Sequence, residues 1–402
     1  MDTLVVDIGS SSTKAGWGGE DSPSFVFPTL QSDSRAGHPK NAECAEEFPL
    51  GEHSTNAKVA MHYKGVMDAM GQESPHPLLR GKVKDWDHME KFWKTVLEEI
   101  HIASHSDSTN ILLIESPKTA VADRREWAEI IFDAYRAPSL AIGNSSSCAI
   151  FAAGRTTGVV VECGAGLTSC VPVFEGLALT HAVVMSDYGG QDLTALIRNT
   201  MGDRYGKHLE MTDARTIKER HLRVLLEAPR PATITRSPKA VPASKAKQVV
   251  ALPDGTEVEV AENFFTECSE TLMINSNLPT GGLISQVHES LTLCDDSIRR
   301  DLSNNIIIAG GTAMIAGLGD RLGAELNRLS AADAAVKGYV PMGIRVMPSA
   351  AHKESGYTYQ RKHAAWIGGS IMSSLESFRD LKITRQEWEE GSGEQALLTK
   401  AF

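Results

Sequence analysis

The chain has 402 residues, 42% hydrophobic and 23% charged, with a formal net charge of −11. That length and balance suit a globular protein with room for two domains with real cores. The acidic excess argues against non-specific nucleic-acid binding, and no apolar stretch approaches the ~20 residues of a membrane span, so neither nucleic acid nor membrane is expected as a direct partner.

The chain enters a strand almost at once, so no secretory signal is expected. Val5-Val6-Asp7-Ile8-Gly9-Ser10-Ser11-Ser12-Thr13-Lys14 reads as an apolar strand ending in a carboxylate, a small-residue turn and a returning strand. Glycine lets backbone amides approach an anion, and the hydroxyls and Lys14 add donors and charge. Asp7 beside such an anion is tolerable if a cation lies between them. The alternative is an ordinary Ser-rich hairpin turn.

Residues 29–76 are of weak periodicity, rich in Ser, Gly, Pro, Glu and His between Gln31 and Ala57. From 77 to 152 helix and strand alternate. Asp87 to Ile102 has helical apolar spacing through Met89, Phe92, Trp93, Val96 and Leu97, with Asp87 as its cap. Asn110 to Glu115 is a strand apolar enough to be covered on both faces. Arg124 to Ala134 is a helix with Trp127, Ile130, Ile131 and Ala134 inward, and Ser145 to Ala153 is a helix linking two halves.

The opening pattern then returns. Val159-Val160-Val161-Glu162-Cys163-Gly164-Ala165-Gly166-Leu167-Thr168-Ser169 sets Glu162 in the place of Asp7, Gly164 of Gly9 and Thr168 of Thr13. Two such hairpins suggest related halves around one ligand. A helix starts near Asp187-Tyr188-Gly189-Gly190. Arg215, Lys218 and Glu219, at i, i+3 and i+4, share one helix face, as a salt-bridged surface helix would also arrange them. Ala228 to Lys247 is Pro-, Ala- and Lys-rich and reads as extended and exposed. Asn275 to Ser290 reads as a loop. A third small-residue turn, Ala309-Gly310-Gly311-Thr312, follows Ile306-Ile307-Ile308. The six cysteines form no CxxC pair and fit reduced thiols in an intracellular protein without structural zinc.

These segments resemble actin and the actin-related proteins. So do Lys14-Ala15-Gly16-Trp17-Gly18-Gly19, Asp85-Trp86-Asp87-His88-Met89-Glu90, Ala153-Gly154-Arg155-Thr156-Thr157-Gly158, Leu252-Pro253-Asp254-Gly255, Trp366-Ile367-Gly368-Gly369-Ser370 and Lys400-Ala401-Phe402. The resemblance covers nearly the whole chain. It implies an α/β, actin-like ATPase fold: two duplicated lobes, in four subdomains, around a nucleotide cleft. Residues 1–28, 77–152 and 364–402 would form subdomain 1, 29–76 subdomain 2, 153–188 with 277–363 subdomain 3, and 189–276 subdomain 4. The implied ligand is ATP or ADP with Mg²⁺. Gly9, Ser10, Ser11, Ser12 and Lys14 would meet the phosphates from one side and Gly164, Ala165 and Gly166 from the other. Asp7 and Glu162 would hold the metal through water. Gly190, Arg215, Lys218 and Glu219 would line the ribose and base, opposite Gly310, Gly311, Met314 and Lys362.

The departures from the family pattern matter as much. The family's water-orienting Gln is Ser145 here, its second-hairpin Asp is the longer Glu162, its next acid is Ala165, and its water-positioning His is Ser169. Arg80 replaces a His near the phosphate exit. Weak or absent hydrolysis is therefore expected. The stretch His62 to Leu79 does not match, which suggests an altered filament contact or a variable loop. Protein partners are expected at an apolar cleft that includes Phe151 and Phe378, with Leu177, Met372 and Leu375 on its exposed rim. The resemblance thus implies a cytoskeletal subunit of a dynein/dynactin, axonemal or actin-nucleating assembly, in cytoplasm or axoneme. The competing readings are a filament-forming actin ATPase and a nuclear subunit of a chromatin-remodelling complex.

Overall fold

The computed structural model describes residues 2–29, 77–100, 108–227, 246–337, 341–349 and 355–402. The outer segment from residue 30 to 76, with most of the unmatched 62–79 stretch, and the basic segment from 228 to 245 lie outside the described residues.

Strands β1 (Thr3–Ile8) and β2 (Ser12–Trp17) make the first hairpin, and β3 (Phe25–Pro28) pairs antiparallel with β2. A short ribbon, β4 (Leu78–Leu79) and β5 (Lys82–Val83), turns through Arg80 and Gly81, both at positive φ. Helix α1 (Trp86–Glu99) begins earlier than its sequence suggests. Its cap is Asp85, not Asp87: Asp85 Oδ1 accepts from the His88 amide at 3.0 Å, and Asp87 sits in the first turn, where its charge favours the helix dipole. The apolar stripe from Met89 to Leu97 is buried as the spacing predicts. Strand β6 (Asn110–Glu115) follows with the predicted bounds. Helix α2 (Val121–Glu129) then runs into a π-helical turn, Ile130–Ala134. That wider turn slips the register, so Phe132 joins Trp127, Ile130 and Ile131 inside while Ala134 is exposed, contrary to the α-helical spacing. Strand β7 (Ser139–Asn144) leads into α3 (Ser145–Ala152).

The second hairpin is β8 (Gly158–Cys163) and β9 (Thr168–Phe174), extended by β10 (Leu177–Ala178) and β11 (Val184–Ser186), both antiparallel to β9. Then come α4 (Gly190–Tyr205), α5 (Met211–His221), the ribbon β12 (Lys247–Ala251) and β13 (Glu257–Ala261), and α6 (Phe264–Met273). The expected loop over 275–290 is half helix: α7 (Leu283–Thr292) starts directly after Gly282, and Leu283, Ile284, Val287 and Leu291 supply a buried stripe. Next are α8 (Asp296–Ser303), β14 (Ile306–Ala309), α9 (Leu318–Lys337), β15 (Val346–Met347) and α10 (Ser355–Gln360). The chain closes with α11 (Ala364–Ser373), β16 (Ile383–Thr384), α12 (Arg385–Glu389) and α13 (Gly393–Thr399).

Two compact units result: Met1–Cys148 with Ala365–Phe402, and Ala149–Ala364. The division falls inside α3 and after the first residue of α11. The first unit's sheet has the order β16-β7-β6-β1-β2-β3, and the second unit's β10-β9-β8-β14-β15. Four strands of each share one plan. An antiparallel hairpin (β1–β2; β8–β9) has its first strand parallel to a second (β6; β14), which is parallel to a third (β7; β15). In the first unit Leu4, Val6, Ile111 and Leu113 face the core that holds Phe92 and Trp93. On the sheet's other face α11 packs closely: a Cβ on Gly369 would lie 3.1 Å from Val5, and Trp366 Nε1 donates to the Val5 carbonyl at 3.0 Å. In the second unit alternate residues of β8 feed two clusters, Val159 and Val161 on one face, Val160 on the other.

Candidate functional site

In the first unit Ile8 pairs with Thr13, so Gly9, Ser10, Ser11 and Ser12 form the loop, closed by the Gly9 amide donating to Ser12 O at 3.1 Å. Asp7 lies opposite Lys14, and their side chains meet at 3.0 Å while largely buried. Ser10 Oγ accepts from the Gly81 amide at 3.3 Å, tying the loop to the β4–β5 ribbon. Gly9 has little room for a side chain: a Cβ there would stand 3.2 Å from Lys14 Nζ. Because β1, β6 and β7 run parallel, their carboxyl ends share one edge, the usual ligand edge of such sheets. Ser145, at the end of β7, is on that edge as the buried first residue of α3. Asn144 Oδ1 caps the helix, accepting from the Ser146 and Ser147 amides at 2.9 and 3.3 Å.

The second unit repeats the turn. Cys163 pairs with Thr168, leaving Gly164, Ala165, Gly166 and Leu167 as the loop, closed by the Gly164 amide donating to Leu167 O at 2.9 Å. The side chains differ. Glu162, half-buried, lies opposite Ser169 rather than a lysine, and the buried Ser169 Oγ has no hydrogen-bond partner. Burial pushes the Tyr357 phenol up, with the Glu162 charge adding to the effect, and its hydroxyl donates to Ile308 O at 3.0 Å.

The loop is gripped from two sides. The first two amides of α4 use loop carbonyls as acceptors: Gly190 N donates to Gly164 O at 2.9 Å and Gln191 N to Ala165 O at 2.8 Å. Thr312 Oγ1 donates to Gly164 O at 2.8 Å from the third glycine turn. This close fit explains the two glycines at the start of α4: a Cβ on Gly189 would lie 2.6 Å from Ala165 O, and one on Gly190 2.4 Å from Thr312 Oγ1. Lys218 Nζ donates to Gly190 O at 2.9 Å, and burial pushes its ammonium down to about 8. On the same face of α5, Arg215 Nε donates to Glu219 at 2.9 Å. Lys362, half-buried, is lowered by burial against the opposing pull of Glu219. Gly310 takes φ +92°, and its amide donates to Arg361 O at 2.9 Å. Arg361 in turn donates from Nε and Nη2 to Ala313 O, both at 3.2 Å. Gly311 has open space around its Cα, and Met314 is exposed in a 3₁₀ turn.

A family model described as actin matches residues 1–212 and again residues 198–401. The chain belongs to the actin family. Its α/β architecture, two lobes on one sheet plan, is that of the family. In this actin-family chain Gly164, Ala165, Gly166, Gly190, Lys218 and Gly310 come together in the second unit, with Arg215, Glu219, Lys362 and Met314 on the adjoining α5 and third-turn segments. Asp7, the Gly9–Ser12 loop and Lys14 come together in the first. Two contributors were not singled out from the sequence. In the sequence Thr312 is visible only as the end of a glycine turn, and Arg361 carries no periodic signal because its role is to hold backbone carbonyls. One expectation needs correcting. Leu177 and Leu375 are exposed, 64% and 46%, but Met372 is 8% exposed and belongs to the core. On α11 the outward position falls to its neighbour Ile371, at 42%, so Met372 cannot serve as rim.

Proposed function

We propose that this actin-family chain holds ATP or ADP with Mg²⁺ as a largely structural ligand and hydrolyses it slowly or not at all. In this reading it serves as a fixed subunit of a larger cytoskeletal assembly in the cytoplasm, of dynein/dynactin, axonemal or actin-nucleating type. The observation that carries the reading is the contrast between two turns built alike. Both close with the same Gly-to-carbonyl bond, yet the first keeps its Asp7–Lys14 pair while the second sets Glu162 against a hydroxyl with no partner.

The residues present fit a nucleotide. A Cβ on Gly9 or Gly164 would come within 3.0 Å of a loop carbonyl, Lys218 is a half-buried cation with no carboxylate bonded to it among the described residues, and Ser169 is a buried hydroxyl with unused capacity. When bound, Mg·ATP supplies a phosphoanhydride whose charge the metal partly neutralises. Gly9 to Ser12 and Lys14 would hold phosphate oxygens, as would the Gly164–Gly166 backbone. Asp7 and Glu162 would orient metal-bound water. Lys218 and the Arg215–Glu219 pair would bound the ribose and base, with Gly310, Gly311, Met314 and Lys362 opposite. Ser145 is shorter than the family's Gln by two heavy atoms, Ala165 carries no carboxylate, and Ser169 cannot do the work of an imidazole. Each positioned group of this kind is worth roughly 10²–10⁴ in rate.

Purified protein should retain nucleotide while releasing phosphate far more slowly than filament-forming actin. Turnover equal to such an actin overturns the reading. Co-purification from cell extract tests the assembly. Axonemal or dynein-linked subunits support it, remodelling ATPases would move the chain to the nucleus, and pelleting as a homopolymer would make it a conventional actin.

A further inference from the structure

A buried ion-pair cluster centred on Arg321 of α9 adjoins the segment leaving α5 in the second unit. Arg321 is 0% exposed. Its guanidinium grips Glu270 of α6 with two bonds, 2.9 and 3.1 Å, and Glu325 one turn along α9 at 3.1 Å. Arg328 meets the remaining oxygen of Glu325 at 2.9 Å, so two carboxylates balance two guanidiniums. Of its remaining N–H groups, one serves the backbone: Nη1 also donates to Leu225 O at 3.0 Å.

That carbonyl belongs to the segment leaving α5, the helix of Arg215, Lys218 and Glu219. Just before it, Arg223 pairs with Ala316 in a parallel bridge, and Val224 N donates to Ala316 O at 2.9 Å. Ala316 lies one residue beyond the Gly310–Met314 turn, after Ile315. Ser269 Oγ, from α6, donates to Arg223 O at 2.7 Å. The approach is close enough that a Cβ on Gly317 would lie 2.4 Å from Val224 O. Residues 222–225 thus form a tie between α5 and the third glycine turn, and Arg321 anchors its far end to two helices.

We infer that Arg321 is a positioning residue for the base side of the nucleotide: through the 222–225 tie it fixes the spacing between the α5 wall and the Gly310–Met314 wall. It touches no ligand. The inference rests on the nucleotide reading above. A bidentate, fully buried guanidinium is hard to replace by lysine, whose single ammonium cannot hold two carboxylates and a carbonyl in one plane.

The test compares two probes, Mg·ATP and Mg·tripolyphosphate, by calorimetry on the full chain carrying Arg321→Lys, with Ser269→Ala as a milder variant that loosens the same tie should Arg321→Lys fail to fold. If Arg321 acts through the base walls, ATP affinity falls by roughly three- to thirtyfold, the range for residues acting through packed networks, while tripolyphosphate affinity stays as in the wild type. General destabilisation would lower both together and overturn the inference, as would an unchanged ratio in the folded variants. Wild-type protein that binds neither probe overturns the nucleotide reading itself, and the inference falls with it. Wild-type protein that binds both equally leaves a phosphate site standing but removes the base site, and so overturns the inference alone.

Discussion

The proposed loss of nucleotide turnover rests on four side chains. Ser145 lies at the sheet edge of the first unit, and Glu162, Ala165 and Ser169 lie on the second hairpin. If their identities alone block hydrolysis, restoring the family's residues should revive it. The combined Ser145→Gln, Glu162→Asp, Ala165→Asp and Ser169→His chain is expected to release phosphate at least about 10²-fold faster than the wild type, measured by a continuous phosphate assay at saturating ATP. Ser169→His alone should gain far less, because water-positioning groups act as a unit. A second test at this scale concerns Lys218. Burial holds its folded ammonium near 8, whereas the unfolded chain keeps an ordinary lysine near 10.5. Between those values the unfolded state binds the extra proton, so stability must rise with pH across the window and stay flat below it. Melting temperatures of the wild type relative to Lys218→Met should climb from about pH 8 upward. A constant difference from pH 7 to 10 would show that Lys218 is solvated.

The glycine turns carry the sharpest contrast between elements. Gly310 and Gly311 are adjacent, yet only Gly310 is at positive φ, and a Cβ there would stand 2.5 Å from Cys163 O. Gly311 has α-region angles and nothing within 4 Å of its Cβ position. Gly310→Ala should therefore cost on the order of 2–4 kcal/mol in denaturant unfolding and Gly311→Ala less than about 0.5 kcal/mol. The sequence names both glycines but cannot separate them, because the distinction lies in a contact with a strand almost 150 residues earlier. The same limit explains the other differences. The strand Asn110–Glu115 is legible to the residue, since an unbroken apolar run has few other homes. The cap of α1 is misread by two positions, since Asp85 and Asp87 both suit a helix start and only the backbone at Asp85 decides between them. Ala134 is misplaced because helical spacing assumes an unbroken helix, and Met372 because the resemblance carries over a position without saying which face of its helix lies outward. A π turn breaks the helix before Ala134, and on α11 it is Ile371, not Met372, that is exposed. The glycine cradle is legible as motif, whereas Thr312 and Arg361, which hold it by bonds to backbone carbonyls, leave no pattern in the chain.

At the scale of the molecule the same sheet plan occurs in each of the two units. The two turns share a four-residue loop, the same closing bond and a threonine at the same place, Thr13 and Thr168. If both are phosphate turns, as proposed, adding Mg·ATP should protect each of them. Ligand binding stabilises whatever it touches by mass action, about 2.7 kcal/mol at a hundred times Kd. Hydrogen exchange read peptide by peptide should then slow over residues 9–13 and over residues 164–168 together when Mg·ATP is added, and relax together when the metal is chelated. Protection confined to the second unit would keep Lys218 and the third glycine turn as a nucleotide-binding wall but leave the Ser-rich loop as an ordinary hairpin turn. The Asp7–Lys14 bridge would then be a structural pair. Protection of both, with phosphate release still slow, is the combination expected of an actin-family chain in which the ligand serves as a fastening.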